Sequence, residues 1–454
     1  MYTLLILQGY AVVLGLGAWM AYRYLTLKED LVSPWFLFLG GCMCFLGMPS
    51  IFTGMGGPLG HREPFSEWIL FLFLLGILVF MVTLMATYYL FNYPAKLAQR
   101  AQLLWPSPSI GTLLVALVLC FGMYAFFLRP LPIPFVSHVL GISGAFGPII
   151  AVSLAVVAWN NDKANPFLIA IAIGTLGLAL ICSVASGSGR RQLVAVLLTV
   201  PIMLYWLRWR YQNPQWTAVR FVALGLAGLV VISAYSGLRH GTRGEVGFGT
   251  GLNRITAISS SIASGNIGDG ANVFAADTTE TSLLAIWMYG HNRPFPHQPF
   301  HTLYFIAANP IPRVFWEEKP KGLGYLLPQE HYELEGSSAT LGPGVVGHAF
   351  HEGGLHMCIF YGALFAIILR FGSEWIRLEP GNPYLLGIFA AASSNILTIP
   401  RGDMGTMTMQ VLSSAVCGAV VFGVMRLLSP TSNTSYRIDQ LYAPQPQPPQ
   451  LQAA

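Results

Sequence analysis

Two short stretches of the sequence hold most of the side chains able to do chemistry. Asn309–Lys321 carries Arg313, Lys319 and Lys321 around Trp316, and Gly344–Gly354 carries His348, His351 and Glu352. The first set offers fixed positive charge, which suits an oxyanion. A planar guanidinium can take two oxygens of a phosphate at once. The second set offers bases. An imidazole with an ordinary pKa near 6.5 can accept a hydroxyl proton at neutral pH. His348 and His351 stand three residues apart and share a helical face, with Glu352 beside them. The order H-x-x-H-E matches neither H-E-x-x-H nor H-x-x-E-H, so the reading here is metal-independent and no cofactor is expected. A plain cluster of histidines at a helix end is the structural alternative. For the first stretch the alternative is a self-neutralising loop, because Glu317 and Glu318 sit among its cations.

Three further groups of cations are candidates for the same anion. Arg190 and Arg191 follow Ser186-Gly187-Ser188-Gly189 and open an apolar segment. A helix N-terminus there presents free N–H groups and about half a positive charge. Arg401-Gly402-Asp403 makes a tight turn between the last two apolar segments. Arg239 and Arg243 stand where another segment ends, beside a glycine-rich run. Snorkelling to lipid headgroups explains the first and third groups equally well, and an exposed Arg401–Asp403 pair explains the second.

These residues stand out because the chain is otherwise apolar. Of 454 residues, 54% are hydrophobic and 9% are charged. A soluble domain carries about 25% charged residues. The fold expected is all-α, a polytopic membrane protein with about eleven transmembrane helices and one large helical extracytoplasmic loop. The expected spans are 3–25, 34–54, 67–92, 108–128, 136–159, 166–186, 190–208, 216–236, 343–371, 382–399 and 406–427. Residues 1–428 form the membrane domain, 237–342 the large loop, and 429–454 a disordered Pro/Gln-rich tail. Within the loop, Asp277-Thr-Thr-Glu280 reads as a capping box opening a helix over 278–290. That helix and the apolar 301–308 segment are expected at the outer membrane surface.

Lys and Arg counting sets the orientation. Twelve basic residues fall in one set of short loops plus the tail, and five in the other. The richer side is expected to be cytoplasmic, with the N-terminus outside and the C-terminus inside. Six cysteines all lie in apolar segments, which argues against a disulfide framework. No basic arm suggests nucleic-acid binding. The absence of G-x-x-x-x-G-K-[ST] argues against ATP-driven transport. Nearly uncharged spans argue against an ion-coupled transporter.

Pro312-Arg313-Val314-Phe315-Trp316-Glu317-Glu318-Lys319-Pro320 is similar to a P-R-x-x-W-x-x-K-P element of the bacterial oligosaccharide repeat-unit polymerases, the Wzy-type O-antigen polymerases. Gly344–Gly354 resembles the family's entry into the next span, with His348 where relatives often have Glu. Ser186–Arg191 and Arg401–Asp403 resemble its outer arginine turns. The resemblance implies a glycosyltransferase of the inner membrane acting on polyprenyl-pyrophosphate-linked oligosaccharides. It also implies membrane lipid around the chain, and chain-length regulator and flippase proteins as partners. Arg190, Arg191, Arg239, Arg243, Arg401, Lys319 and Lys321 would then bind pyrophosphate, with His348, His351, Glu352 and Arg313 catalytic. A ligase using another acceptor, a transporter or flippase for lipid-linked sugars, and a non-catalytic assembly partner remain the other readings.

Overall fold

The computed structural model describes residues 1–55, 65–101, 105, 109–129, 132–185, 190–239, 248–263, 277–290, 298–332 and 341–428. The expected tail at 429–454 lies outside them. So do Arg243 and the Ser186–Gly189 turn, and the side chains of Arg190 and Arg239 are also not described.

Among the described residues the fold is all-helical. The first part runs α1 (Tyr2–Leu25), α2 (Pro34–Cys42), α3 (Met48–Gly54), α4 (Glu67–Leu90), α5 (Tyr93–Arg100) and α6 (Ile110–Leu128). Then come α7 (Pro134–Gly144), α8 (Gly147–Asn161), α9 (Pro166–Ala185), α10 (Arg190–Leu207) and α11 (Pro214–Arg239). The region between holds α12 (Phe248–Ala263), α13 (Asp277–Gly290), α14 (His301–Ala308) and α15 (Leu323–Tyr332). The chain closes with α16 (Gly344–Gly353), α17 (Leu355–Leu378), α18 (Pro383–Thr398) and α19 (Met404–Leu428). A π-helical turn at Met43–Gly47 joins α2 to α3.

Among the described residues, seven helices are long and apolar enough to cross a membrane, counting Pro34–Gly54 as one, or eight if the bent pair α7–α8 counts as one. They mark the chain as a multi-pass helical membrane protein. Two of the eleven expected spans, 190–208 and 382–399, fall short of that test and correspond to shorter apolar helices at 191–207 and 383–398. The expected span 216–236 lies in α11, whose side chains are described only in part, and falls outside the test.

The expected span 343–371 is broken. Gly354 sits at φ 72° and Gly353 at φ 157°, so the helix stops after α16 and restarts as α17. A side chain at Gly354 would be strained in that left-handed conformation. The chemistry-bearing residues therefore ride on a short separate helix rather than on the end of a span.

The core explains the order of burial. In α8 every residue from Gly147 to Ala158 is buried, as expected of a helix apolar on all sides at the centre of a bundle. It packs against α6, α9, α10 and α18. Helix α17 lies along α4, with Phe73, Phe80, Tyr361 and Phe365 buried.

The helices of 237–342 do not form one separate layer. Helix α12 packs on α9 and α11, whereas α13 packs on α16, α4 and α3. Thr279 through Ile286 of α13 are all buried. The expectation that this helix lies on the membrane surface is thus corrected: it is interior. Two of its polar residues find backbone partners inside the protein. Thr281 donates to Gly342 O at 2.8 Å and Ser282 to Pro343 O at 2.6 Å.

Candidate functional site

Helix α16 starts at Gly344 with φ 64°, where a Cβ would collide with Pro400 O. Only glycine combines that backbone conformation with so close an approach. Its N–H donates to Gly402 O at 3.2 Å. The start of α16 is therefore clamped to the Arg401–Asp403 turn.

Within α16, His348, His351 and Glu352 are 1%, 3% and 1% exposed. All three are interior rather than a surface cluster, and His348 and Glu352 belong to one polar chain. His348 Nε2 accepts from Met404 N–H at 3.0 Å, satisfying one of the free donors that open α19. The other ring nitrogen must then carry the proton. His348 Nδ1 donates to Thr302 Oγ1 at 2.9 Å. The Thr302 hydroxyl in turn donates to Glu352 Oε1, and the Thr302 backbone N–H reaches the same oxygen at 2.9 Å. Tyr361 donates to Glu352 Oε2 at 2.5 Å. Imidazole, hydroxyl, carboxylate and phenol thus form one continuous hydrogen-bonded path. Burial pulls the His348 pKa below its ordinary value, while Asp403 and Glu352 pull it partly back. A neutral ring agrees with Nε2 acting as an acceptor.

Asp403 joins this chain to the lysine-bearing stretch. It is buried, with Oδ1 3.6 Å from His348 Nε2. Oδ1 also accepts from Thr406 N–H at 3.1 Å, the bond of an N-cap residue. Oδ2 accepts from Gly324 N–H at 2.9 Å. Just before Gly324, Lys321 O accepts from His301 Nε2 at 2.9 Å. The His301 ring stands edge-on to His351, with centroids 6.0 Å apart.

The cations of that stretch serve the loop itself. Lys319 is buried and donates to Asn309 O at 3.0 Å and Ile311 O at 2.9 Å. Burial and the nearby Arg313 both lower its pKa. Arg313 is exposed and reaches Glu317 O at 3.1 Å and Lys319 O at 3.4 Å. Of the stretch's cations, Lys321 is exposed.

The arginine turns lie near one another through methionine. Arg191 reaches Met407 Sδ and, at 3.4 Å, Gln410 Oε1. Met407 also packs at Gly402, between Arg401 and Asp403. The Arg401 guanidinium lies over the Phe45 ring at 5.5 Å, in the π-helical turn. Such turns often occur at functional sites.

Beside Arg191 is a cavity of about 250 Å³. Its polar lining is Arg191 and Gln192 from α10, Ser394 and Asn395 from α18, and Gln410 from α19. Asn395 is 2% exposed, and its Oδ1 has no hydrogen-bond partner among the described residues. A buried acceptor left unmet costs free energy. A guanidinium and a buried amide with an unmet acceptor thus line one common space. Among the described residues, no three His, Cys, Asp or Glu side chains are grouped to hold a metal ion.

Sequence reasoning picked out His348, Glu352, Arg191 and the 401–403 turn, and missed Thr302, Tyr361, Asn395 and Gln410. The last two carried a signal, being amides inside apolar helices. Thr302 and Tyr361 carried none, since nothing distinguishes them from other residues of apolar segments. No protein-family model matches this chain, nor does any curated protein or any solved structure.

Proposed function

We propose that this protein is a membrane glycosyltransferase that joins polyprenyl-diphosphate-linked oligosaccharide units, working at the outer face of a bacterial inner membrane. The observation that carries the reading is the meeting of three distant stretches. The segment ending at Gly324 binds Asp403, α16 binds the start of α19, and Arg191 reaches the same part of α19. These are the stretches whose residues suggested oxyanion and base chemistry.

The reaction would proceed by attack of an acceptor hydroxyl oxygen on the anomeric carbon of the donor glycan. The new C–O bond forms as the bond to the diphosphate breaks, and the lipid diphosphate leaves with the electron pair. Negative charge builds on phosphate oxygens, where a fixed guanidinium stabilises it. Arg191 in the cavity is assigned that role, with Arg401 and the neighbouring Arg190 in support. Asn395 Oδ1 and Gln410 supply hydrogen-bonding groups for sugar hydroxyls. The acceptor proton would pass to the α16 set, His348, His351 and Glu352, with the Thr302 hydroxyl as relay between imidazole and carboxylate. Arg313 and Lys319 are assigned to holding the 309–324 segment in place, since Arg313 Nη1 and Lys319 Nζ donate to its carbonyls.

The test is polymer formation from lipid-linked repeat units by the purified protein in proteoliposomes. Arg191→Ala is expected to lower the rate on the order of a hundredfold, with insertion and unfolding temperature unchanged. Wild-type polymerisation by that variant would overturn the assignment. Transport of the lipid-linked unit across the bilayer without new glycosidic bonds would favour the flippase reading instead.

A further inference from the structure

The opposite end of α17 holds a second cavity, of about 120 Å³, that the glycosyl-transfer reading leaves unused. About 10–15 Å³ of such space suffices for a water, so a tetrahedral oxyanion has room. Four cations line it: Arg23, Lys28, Arg370 and Arg377. Three carboxylates line it too, but two are committed elsewhere. Asp30 takes the fork of Arg210, a residue outside the lining, at 2.7 and 3.1 Å. Glu374 takes Arg377 at 2.7 and 3.1 Å. Glu29 alone then faces Arg23 at 3.1 Å and Arg370 at 4.0 Å, with Lys28 beside them. Three cations against one carboxylate leave an excess of two positive charges.

Two donors also lack acceptors. Arg23 Nε and Arg370 Nε are buried with no hydrogen-bond partner among the described residues. The start of α2 adds no free donor, because Trp35 N–H goes to Ser373 Oγ and Phe36 N–H to Ser33 Oγ. Charge excess and unmet N–H donors ask for the same thing, an anion with several acceptor oxygens.

We propose that this cavity binds a phosphate group, on the side of the bilayer whose short loops carry the excess of Lys and Arg. The phosphate could belong to an anionic phospholipid headgroup or be free in solution; the chemistry of recognition is the same. The site is independent of the glycosyl-transfer reading, and it ties α1, α4 and α17 together at one end.

Two measurements on the full chain separate the sources. The first is the unfolding temperature in detergent as inorganic phosphate replaces chloride at constant ionic strength. The second is native mass spectrometry of protein released from nanodiscs of phosphatidylglycerol or of phosphatidylcholine. A saturable rise in unfolding temperature with phosphate identifies free phosphate. Retention of phosphatidylglycerol but not phosphatidylcholine, without a phosphate effect, identifies the headgroup. Either response should weaken at least about tenfold in Arg370→Gln. It should weaken several-fold in Lys28→Gln, whose exposed position leaves folding intact. No phosphate-specific shift and no preferential lipid retention in the wild type would overturn the proposal. So would a response that survives both variants but vanishes in Arg191→Ala, which would assign the anion to the other cavity.

Discussion

At the Leu355 end of α17, Glu352 is held by the Thr302 N–H and hydroxyl and the Tyr361 hydroxyl. Nearby Asp403 is held by two backbone N–H groups and faces a neutral imidazole. At the other end, about 36 Å away by helix rise, Glu29, Asp30 and Glu374 are all held by arginines. Among the described residues neither Glu352 nor Asp403 makes an ion pair with Lys or Arg at all. The contrast separates two uses of a carboxylate. Where an arginine neutralises it, the pair is a fixed strut and proton exchange is suppressed. Where only neutral donors surround it, the carboxylate stays in one hydrogen-bonded network with titratable partners, which is what acid–base work requires. Polar burial of the second kind is also the more fragile, since each lost partner leaves a stranded group.

The sharpest way to break this contrast is His348→Ala. It strands Met404 N–H and leaves a cavity, so a loss of about 3 kcal/mol or more is expected in thermal unfolding in detergent. Glu352→Gln comes next. It places an NH2 where only donors point, and about 2 kcal/mol should be lost. If both variants unfold at the wild-type temperature, the buried chain is not holding α16 to α19.

A pH series sharpens the same point. Because the folded-state pKa of His348 lies below its ordinary value of 6.5, the unfolded chain binds this proton more readily. Stability from this group is complete above about pH 6.5 and declines as pH falls toward the depressed value. The decline should shrink in His348→Gln, and an unchanged slope would assign it to other groups. The smallest effect is expected at the charged end. Arg377 is 55% exposed in its side chain, so Arg377→Gln should cost under about 1 kcal/mol, and less at high salt. A larger loss would mean the strut carries more of the fold than its exposure suggests.

Much of the fold was legible in the residues. Apolar runs located six spans with ends close to those of the long apolar helices, and the α13 start fell within one residue of the capping box. The break at Gly353–Gly354 was missed although its signal was present: His351, Glu352 and a Gly-Gly pair interrupt the apolar run there, and paired glycines punctuate helices. The interior place of α13 was missed for a different reason. Hydropathy does not distinguish a helix facing lipid from one facing α16.

For the candidate site, sequence alone supplied chemical types and not their allegiance. It determined that histidines, a carboxylate and scattered cations exist on a largely uncharged chain, because composition and spacing are local properties. Tertiary structure decided that Lys319 spends its charge on loop carbonyls and that His348 caps a helix fifty-six residues away. It also decided that Thr302 links that imidazole to Glu352. Hydrogen-bond partners in a packed interior are chosen by proximity in space, and proximity across such separations is written in no single stretch of the chain.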